Sequence, residues 1–189
     1  MIISLTGFMG CGKSSVGRRL SELLCCSFMD LDDVIVERAE RSIPEIFATD
    51  GEAAFRKMEQ DVLQDIIASA GRHSVPEAPE NSTIVLALGG GAVMQEECER
   101  MVQEGTVCIY LKASVETLLR HLEGEAAGRP LLNNTPVMSS EVETSPLRNR
   151  ILELMSLRSA TYERTAHHII DTDGKTIEGI ASEIIGLFS

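Results

Sequence analysis

Gly7-Phe8-Met9-Gly10-Cys11-Gly12-Lys13-Ser14 is the stretch best equipped for chemistry. It fits the spacing G-x-x-x-x-G-K-[ST], in which glycines let the backbone turn tightly and several N–H groups converge on an anion. A short β-branched run, Ile2-Ile3-Ser4-Leu5-Thr6, precedes it, and Ser15 to Leu24 follows with Val16, Leu20, Leu23 and Leu24 at helical spacing. Strand, glycine loop and helix together make a phosphate-binding loop, because the helix N-terminus adds a partial positive charge behind the N–H groups. The bare pattern arises by chance in roughly one chain in 150 of this length. The candidate nucleotide contacts are Gly10, Cys11, Gly12, Lys13, Ser14 and Ser15. Lys13 can reach the β- and γ-phosphates, and Ser14 can ligate Mg²⁺.

Other residues could complete a reaction centre. Asp30 and Asp32 stand two apart at the end of a predicted strand over 26–30, so extended backbone would turn both to one side. Asp33 reads as the cap of the helix that follows. The run Ile84 to Leu88 reads as a strand that flows into Gly89-Gly90-Gly91, which would let a ligand approach the backbone closely. That strand lacks a terminal Asp to hold a metal, so Asp30 is the expected supplier. Arg56 lies near the start of a helix predicted over 52–70, and Arg158 near the middle of one that starts at Ser145-Pro146. Arg129 sits in a long acidic stretch over 124–145 with no periodic pattern, the kind of segment that forms a lid.

The elements that must position these groups alternate strand with helix five times, which predicts an α/β fold, a parallel sheet covered on both faces. Ser42-Ile43-Pro44-Glu45 reads as a capping box opening a short helix. Val93 to Gln103 and Ser114 to Leu122 read as helices, Val107 to Leu111 and His167 to Asp171 as strands, and Thr176 as the cap of the last helix. The stretch from His73 to Thr83 reads as a surface loop. His73, His121, His167 and His168 read as structural.

Composition narrows the function class. The 189 residues carry a net charge of −12, which leaves no surplus of Lys and Arg for nucleic acid. No apolar run approaches a membrane span of about 20 residues, and no secretory signal is read at the N-terminus. Five cysteines without C-x-x-C spacing predict free thiols in a reducing compartment, the cytoplasm. Cys25 and Cys26 read as small core residues.

Taken together, these residues resemble shikimate kinase along nearly the whole chain. The resemblance rests on Gly7 to Ser14, Phe28-Met29-Asp30-Leu31-Asp32-Asp33, Ser42 through Glu59 with Phe55-Arg56 inside it, Gly89-Gly90-Gly91-Ala92-Val93, Arg129-Pro130-Leu131-Leu132, and Arg158 before Tyr162. It implies one three-layer α/β/α domain, a P-loop kinase with a five-stranded parallel sheet in the order 2-3-1-4-5, a substrate-binding segment at about 32–60 and a mobile lid at about 123–145. It implies transfer of the γ-phosphate of ATP to the 3-hydroxyl of shikimate; no long apolar stripe is left over for an interface, so a monomer is expected. On that resemblance Asp32 would hold the hydroxyls and accept the proton, and Arg56, Arg158 and the backbone of Gly89, Gly90 and Gly91 would hold the carboxylate. Asp30 and Ser14 would hold Mg²⁺, Lys13 and Arg129 would neutralise the phosphate, and Arg120 with the turn after Asp171 would lie by the adenine.

The chain departs from the family at 133–144, longer and more acidic than expected, and in the enlarged loop at 73–83. A small-molecule kinase such as one like gluconate kinase, using the same loop, is the nearest rival. A nucleotide-gated module without chemistry is a second, but it would need none of the acceptor-site residues.

Overall fold

The computed structural model describes residues 1–70, 83–123 and 146–188. Five strands form one parallel sheet in the order β2-β3-β1-β4-β5. Its centre is β1 (Ile2–Thr6), every residue of which is buried. The flanking strands are β3 (Ile84–Ala87) and β4 (Val107–Lys112), and the edges are β2 (Ser27–Asp30) and β5 (His168–Asp171). Strands covered on both faces are rich in Val, Ile and Leu, because neither side chain direction meets water.

Register fixes which residues meet at the carboxyl edge. Leu5 lies opposite Ala87, and Ala87 lies opposite Asp30. The loop leaving β1, the glycines leaving β3 and the carboxylate ending β2 therefore emerge side by side. In open parallel sheets this edge is where ligands bind.

Two groups of helices cover the sheet. α1 (Lys13–Leu24) packs against α8 (Ile177–Gly186) and β3. On the other side α4 (Gly51–Ala70) packs on α5 (Glu96–Gly105), and α5 on α7 (Pro146–Thr165), which also meets α6 (Val115–Glu123). α2 (Leu31–Ala39) and α3 (Ile43–Thr49) join β2 to α4 as a helical insert. Ser42 opens α3 with the expected capping box, its side chain accepting from Glu45 N–H while the Glu45 carboxylate accepts from Ser42 N–H.

Three local expectations need correction. Asp30, not Asp33, caps α2, its Oδ1 accepting from the Asp32 N–H at 3.1 Å. Helix therefore begins at Leu31, and Asp32 lies in its first turn rather than in extended backbone. Cys25 is not a core residue: it ends α1 in the left-handed region, at φ 50°, and is exposed, while Cys26 is half-buried. The helix expected over 93–103 is a short 3-10 turn, Ala92–Met94, followed by α5. Arg129, the lid at about 123–145 beyond the end of α6, and the loop at 73–83 short of Thr83 lie outside the described residues.

Candidate active site

The phosphate loop is a backbone structure. Gly12 caps α1 at φ 95° and Gly10 turns at φ 79°, conformations that favour residues without a Cβ. A Cβ on Gly10 would also lie 2.9 Å from Leu122 of α6. Lys13 opens α1, and its Nζ donates to the carbonyls of Gly7 at 2.9 Å and Phe8 at 3.0 Å. The ammonium is thus held over the loop, where an incoming phosphate would compete with two neutral oxygens for it. Ser14 Oγ donates to Asp30 Oδ2 at 2.6 Å. A hydroxyl and a carboxylate this close, at the mouth of the loop, are the oxygen donors that a hard divalent cation takes.

Across the sheet edge, the glycine triplet is the meeting point of everything else. A Cβ on Gly89 would lie 2.7 Å from Glu59 Oε1 and 2.9 Å from Asp32 Oδ1. One on Gly91 would lie 2.8 Å from the Arg56 guanidinium, and one on Gly90 would lie 3.4 Å from the Met9 N of the phosphate loop. The Gly90 carbonyl accepts from the Tyr162 hydroxyl and, at 3.4 Å, from Arg158 Nη1. Consecutive peptides therefore carry both guanidiniums, two carboxylates and the edge of the phosphate cradle. Backbone without side chains lets all of them approach at once.

Arg56 is held before any ligand arrives. Its Nη1 donates to Glu59 at 2.8 Å and its Nη2 to Glu52 at 3.2 Å. Glu59 is 1% exposed and also accepts from Gln95 at 3.2 Å. Burial pushes the Glu59 carboxyl above its ordinary range, Arg56 pulls it back, and the nearby Asp32 charge pushes it up again. For Arg56 burial disfavours the charge, but Glu59 and Glu52 outweigh it and the guanidinium stays charged. Phe55 packs on Phe47 with ring centroids 4.9 Å apart, giving this side an apolar wall.

These groups line one cavity of about 800 Å³. Its lining includes Gly10 to Ser15, Asp30, Asp32, Arg56, Gly89 to Gly91 and Arg158. A cradle for polyphosphate, two carboxylates and two guanidiniums in a single cleft can bind a nucleoside triphosphate beside a hydroxylated acid. The shikimate kinase family model matches residues 9–188.

The chain belongs to the shikimate kinase family.

A shikimate kinase of Salinibacter ruber is 35% identical over 185 residues, covering 98% of this chain and 83% of its own length. Among solved structures, shikimate kinase from Acinetobacter baumannii in complex with shikimate aligns with TM-score 0.82 and 30% identity, covering 99% of this chain and 92% of that one. Shikimate kinase from Bacteroides thetaiotaomicron aligns with TM-score 0.81 and 26% identity, covering 100% and 98%. The sheet order expected from the resemblance is the observed one.

Against the shikimate kinase expectations, the cavity collects Gly10, Cys11, Gly12, Lys13, Ser14, Ser15, Asp30, Asp32, Arg56, Gly89, Gly90, Gly91 and Arg158. Arg120 is not among its lining residues. It is exposed on α6 and close enough to Asp173 to help hold that carboxyl below its ordinary range, behind the Ser114 N–H bond. The turn after Asp171 does reach the cavity, through Thr172 and Lys175.

Sequence reading missed three groups. Glu59 closes the stretch from Ser42 without a role of its own, yet it braces Arg56. Tyr162 was a landmark for Arg158, yet its hydroxyl holds the Gly90 carbonyl. His121 was read as structural, but it lines the cavity and its Nδ1 donates to the Gly10 carbonyl at 2.8 Å. The i, i+3 spacing of Arg56 to Glu59 and the i, i+4 spacing of Arg158 to Tyr162 were the available signals. Neither says which carbonyl or carboxylate waits on the other side. His167 is structural as expected, its Nδ1 accepting from the Cys108 N–H at 3.0 Å.

Proposed function

We propose that this chain transfers the γ-phosphate of ATP to the 3-hydroxyl of shikimate, giving shikimate 3-phosphate and ADP on the route to chorismate and the aromatic amino acids. The observation that carries the reading is the glycine triplet, whose three consecutive peptides touch Asp32, Arg56, Arg158 and the phosphate loop. Each contact matches one part of a hydroxylated carboxylate beside a triphosphate. Family membership agrees with it.

The roles follow from the chemistry of the donors. Arg56 and Arg158 present fork-shaped cations, which suit a carboxylate in a bidentate way. Asp32 accepts from the acceptor hydroxyl and takes up its proton as the phosphoryl group arrives. The loop N–H groups and Lys13 stabilise charge on the transferring phosphate. In a loose transition state, placement and charge neutralisation outweigh base strength. Ser14 and Asp30 would hold the divalent ion, which we take to be Mg²⁺ and which when bound neutralises the β- and γ-phosphate oxygens. Phe47 and Phe55 keep water from the acceptor side, which limits transfer to water in place of the hydroxyl. Arg129 of the lid would add a second cation from outside the described residues.

The test is an ATP-consumption assay with shikimate present and then absent. Consumption only with shikimate supports the kinase, and nucleotide binding without turnover selects a binding module. Consumption with gluconate but not shikimate selects the rival kinase. On the same reading the chain works as a single kinase domain and a monomer on small molecules in the cytoplasm, without nucleic acid or membrane. Light scattering on the purified chain checks the monomer. Among the described residues no helix is long and apolar enough to cross a membrane.

A further inference from the structure

Tyr162 stands one turn after Arg158 on α7, with its side chain in the core at 1% exposure. Its ring packs on Tyr110 of β4, centroids 5.3 Å apart and planes tilted by 30°. Its hydroxyl donates to the Gly90 carbonyl, the same oxygen that Arg158 Nη1 reaches at 3.4 Å. Burial pushes the phenol well above its ordinary range, which keeps it a hydrogen-bond donor at any working pH. One buried hydroxyl therefore joins the guanidinium and the glycine backbone on which the carboxylate is expected to rest.

A carboxylate site needs donors and tolerates no stray acceptor. The Gly90 carbonyl is an acceptor inside that site and next to Arg158, on a residue that is itself half-buried. Left unpaired, it would repel an incoming acid or take Arg158 for itself, since Arg158 already reaches it at 3.4 Å. Among the described residues, the N–H groups of Gly90 and Gly91 bond no backbone carbonyl. A trans peptide places C=O and N–H on opposite sides, so whatever holds the Gly90 carbonyl also aims the Gly91 N–H.

We propose that Tyr162 is a positioning residue for the acceptor carboxylate: its hydroxyl fixes the Gly90–Gly91 peptide and stays as the partner of the Gly90 carbonyl when Arg158, which shares that oxygen at 3.4 Å, turns to the acid. The inference rests on the acceptor reading above. Tyr162 touches no reacting atom, so its effect falls on acceptor binding rather than on the phosphoryl step.

The test compares full-length wild-type enzyme with Tyr162→Phe, which keeps the ring on Tyr110. Tyr110→Phe is the control, because that phenol is bonded toward Ser159 and not toward Gly90. If wild-type enzyme does not consume ATP in response to shikimate, the acceptor reading itself fails. If it does, Tyr162→Phe is expected to raise the shikimate KM about tenfold. Its kcat should stay within about threefold and its ATP KM unchanged, while Tyr110→Phe leaves the shikimate KM alone. Preference for shikimate over its methyl ester should shrink in Tyr162→Phe, a readout that loss of packing alone would not move. An unchanged shikimate KM in Tyr162→Phe overturns the inference. So does an equal loss for both substrates accompanied by a lower melting temperature. Should Tyr162→Phe give no folded protein, Tyr162→Met fills the space with a flexible chain without a donor and is read on the same split.

Discussion

The two halves of the cleft are built in opposite ways. The phosphate side is one continuous stretch, Gly7 to Ser15, and its ligands are backbone N–H groups at the start of α1. The acceptor side has no continuous stretch. Asp32 comes from α2, Arg56 and Glu59 from α4, the glycines from the end of β3, and Arg158 and Tyr162 from α7. A phosphate is nearly the same in every nucleotide, so a loop with fixed local geometry suffices to bind it. An acceptor must be told from similar sugars and acids, which takes side chains at several separate angles. The two halves touch where Gly90 meets Met9, with only backbone between them.

The largest expected effect would break the phosphate side alone. Lys13→Ala is expected to lower kcat by about a thousandfold or more, since it removes a preorganised charge from the transferring phosphate. Shikimate affinity, read by titration without nucleotide, should stay within about twofold. A shikimate affinity that fell as far as kcat would mean the halves are not separable.

Next comes Gly89→Ala, which strikes the acceptor side through its backbone. The new methyl group would meet Glu59 at 2.7 Å and Asp32 at 2.9 Å, and Glu59 is held in place by Arg56 and Gln95. Displacing a reacting partner by a fraction of an ångström to one ångström costs on the order of a hundredfold, here expected in kcat/KM for shikimate. ADP affinity measured by calorimetry should be unchanged, and weakened ADP binding would place Gly89 in the cradle instead.

A smaller, cleaner effect is expected of Arg56→Ala. Hydrogen bonds to a charged group contribute about 1.5–3 kcal/mol, so the shikimate KM should rise roughly 10- to 100-fold while the ATP KM holds. An unchanged shikimate KM would refute the carboxylate assignment.

The smallest effect concerns stability and pH. Burial raises the Glu59 carboxyl above the ordinary glutamate value of about 4.5. The folded chain then binds that proton more tightly than the unfolded one. Any stability this gives is present below the ordinary value and is lost as pH rises through the raised one. Relative to Glu59→Gln, which cannot titrate, the wild-type melting temperature should decline from about pH 4.5 upward. A gap between the two proteins that is flat with pH would show that Arg56 and Gln95 fully offset the burial.

Legibility in the sequence follows the same division. The phosphate loop, the capping box at Ser42 and the five strands were readable because each depends on neighbours a few residues away. The Asp30–Asp32 pair was placed at the right edge for an incorrect local reason. Strand alternation would have aligned them, but Asp30 ends the strand and caps the helix, and Asp32 reaches Gly89 from the first helical turn. Arg120 is carried over by resemblance to the adenine side, and it stands exposed on α6 beside Asp173, in the turn whose Thr172 and Lys175 line the cavity. Glu59 and Tyr162 carried no signal strong enough to mark them, since a glutamate and a tyrosine one turn from an arginine are ordinary helix neighbours.

By itself, then, the order of residues determined a parallel α/β sheet and a polyphosphate cradle at the end of its first strand. Backbone conformation over a few residues is set by local sterics and local hydrogen bonds, which a sequence displays directly. Only the packed structure decided that Asp32, Arg56, Arg158 and Tyr162 converge on three glycines. Their convergence depends on the register of β2, β3 and β1 and on how α4 and α7 lie over the sheet, relations between residues such as Leu5 and Ala87, Asp30 and Ala87, or Gly90 and Arg158, all more than fifty positions apart in the chain.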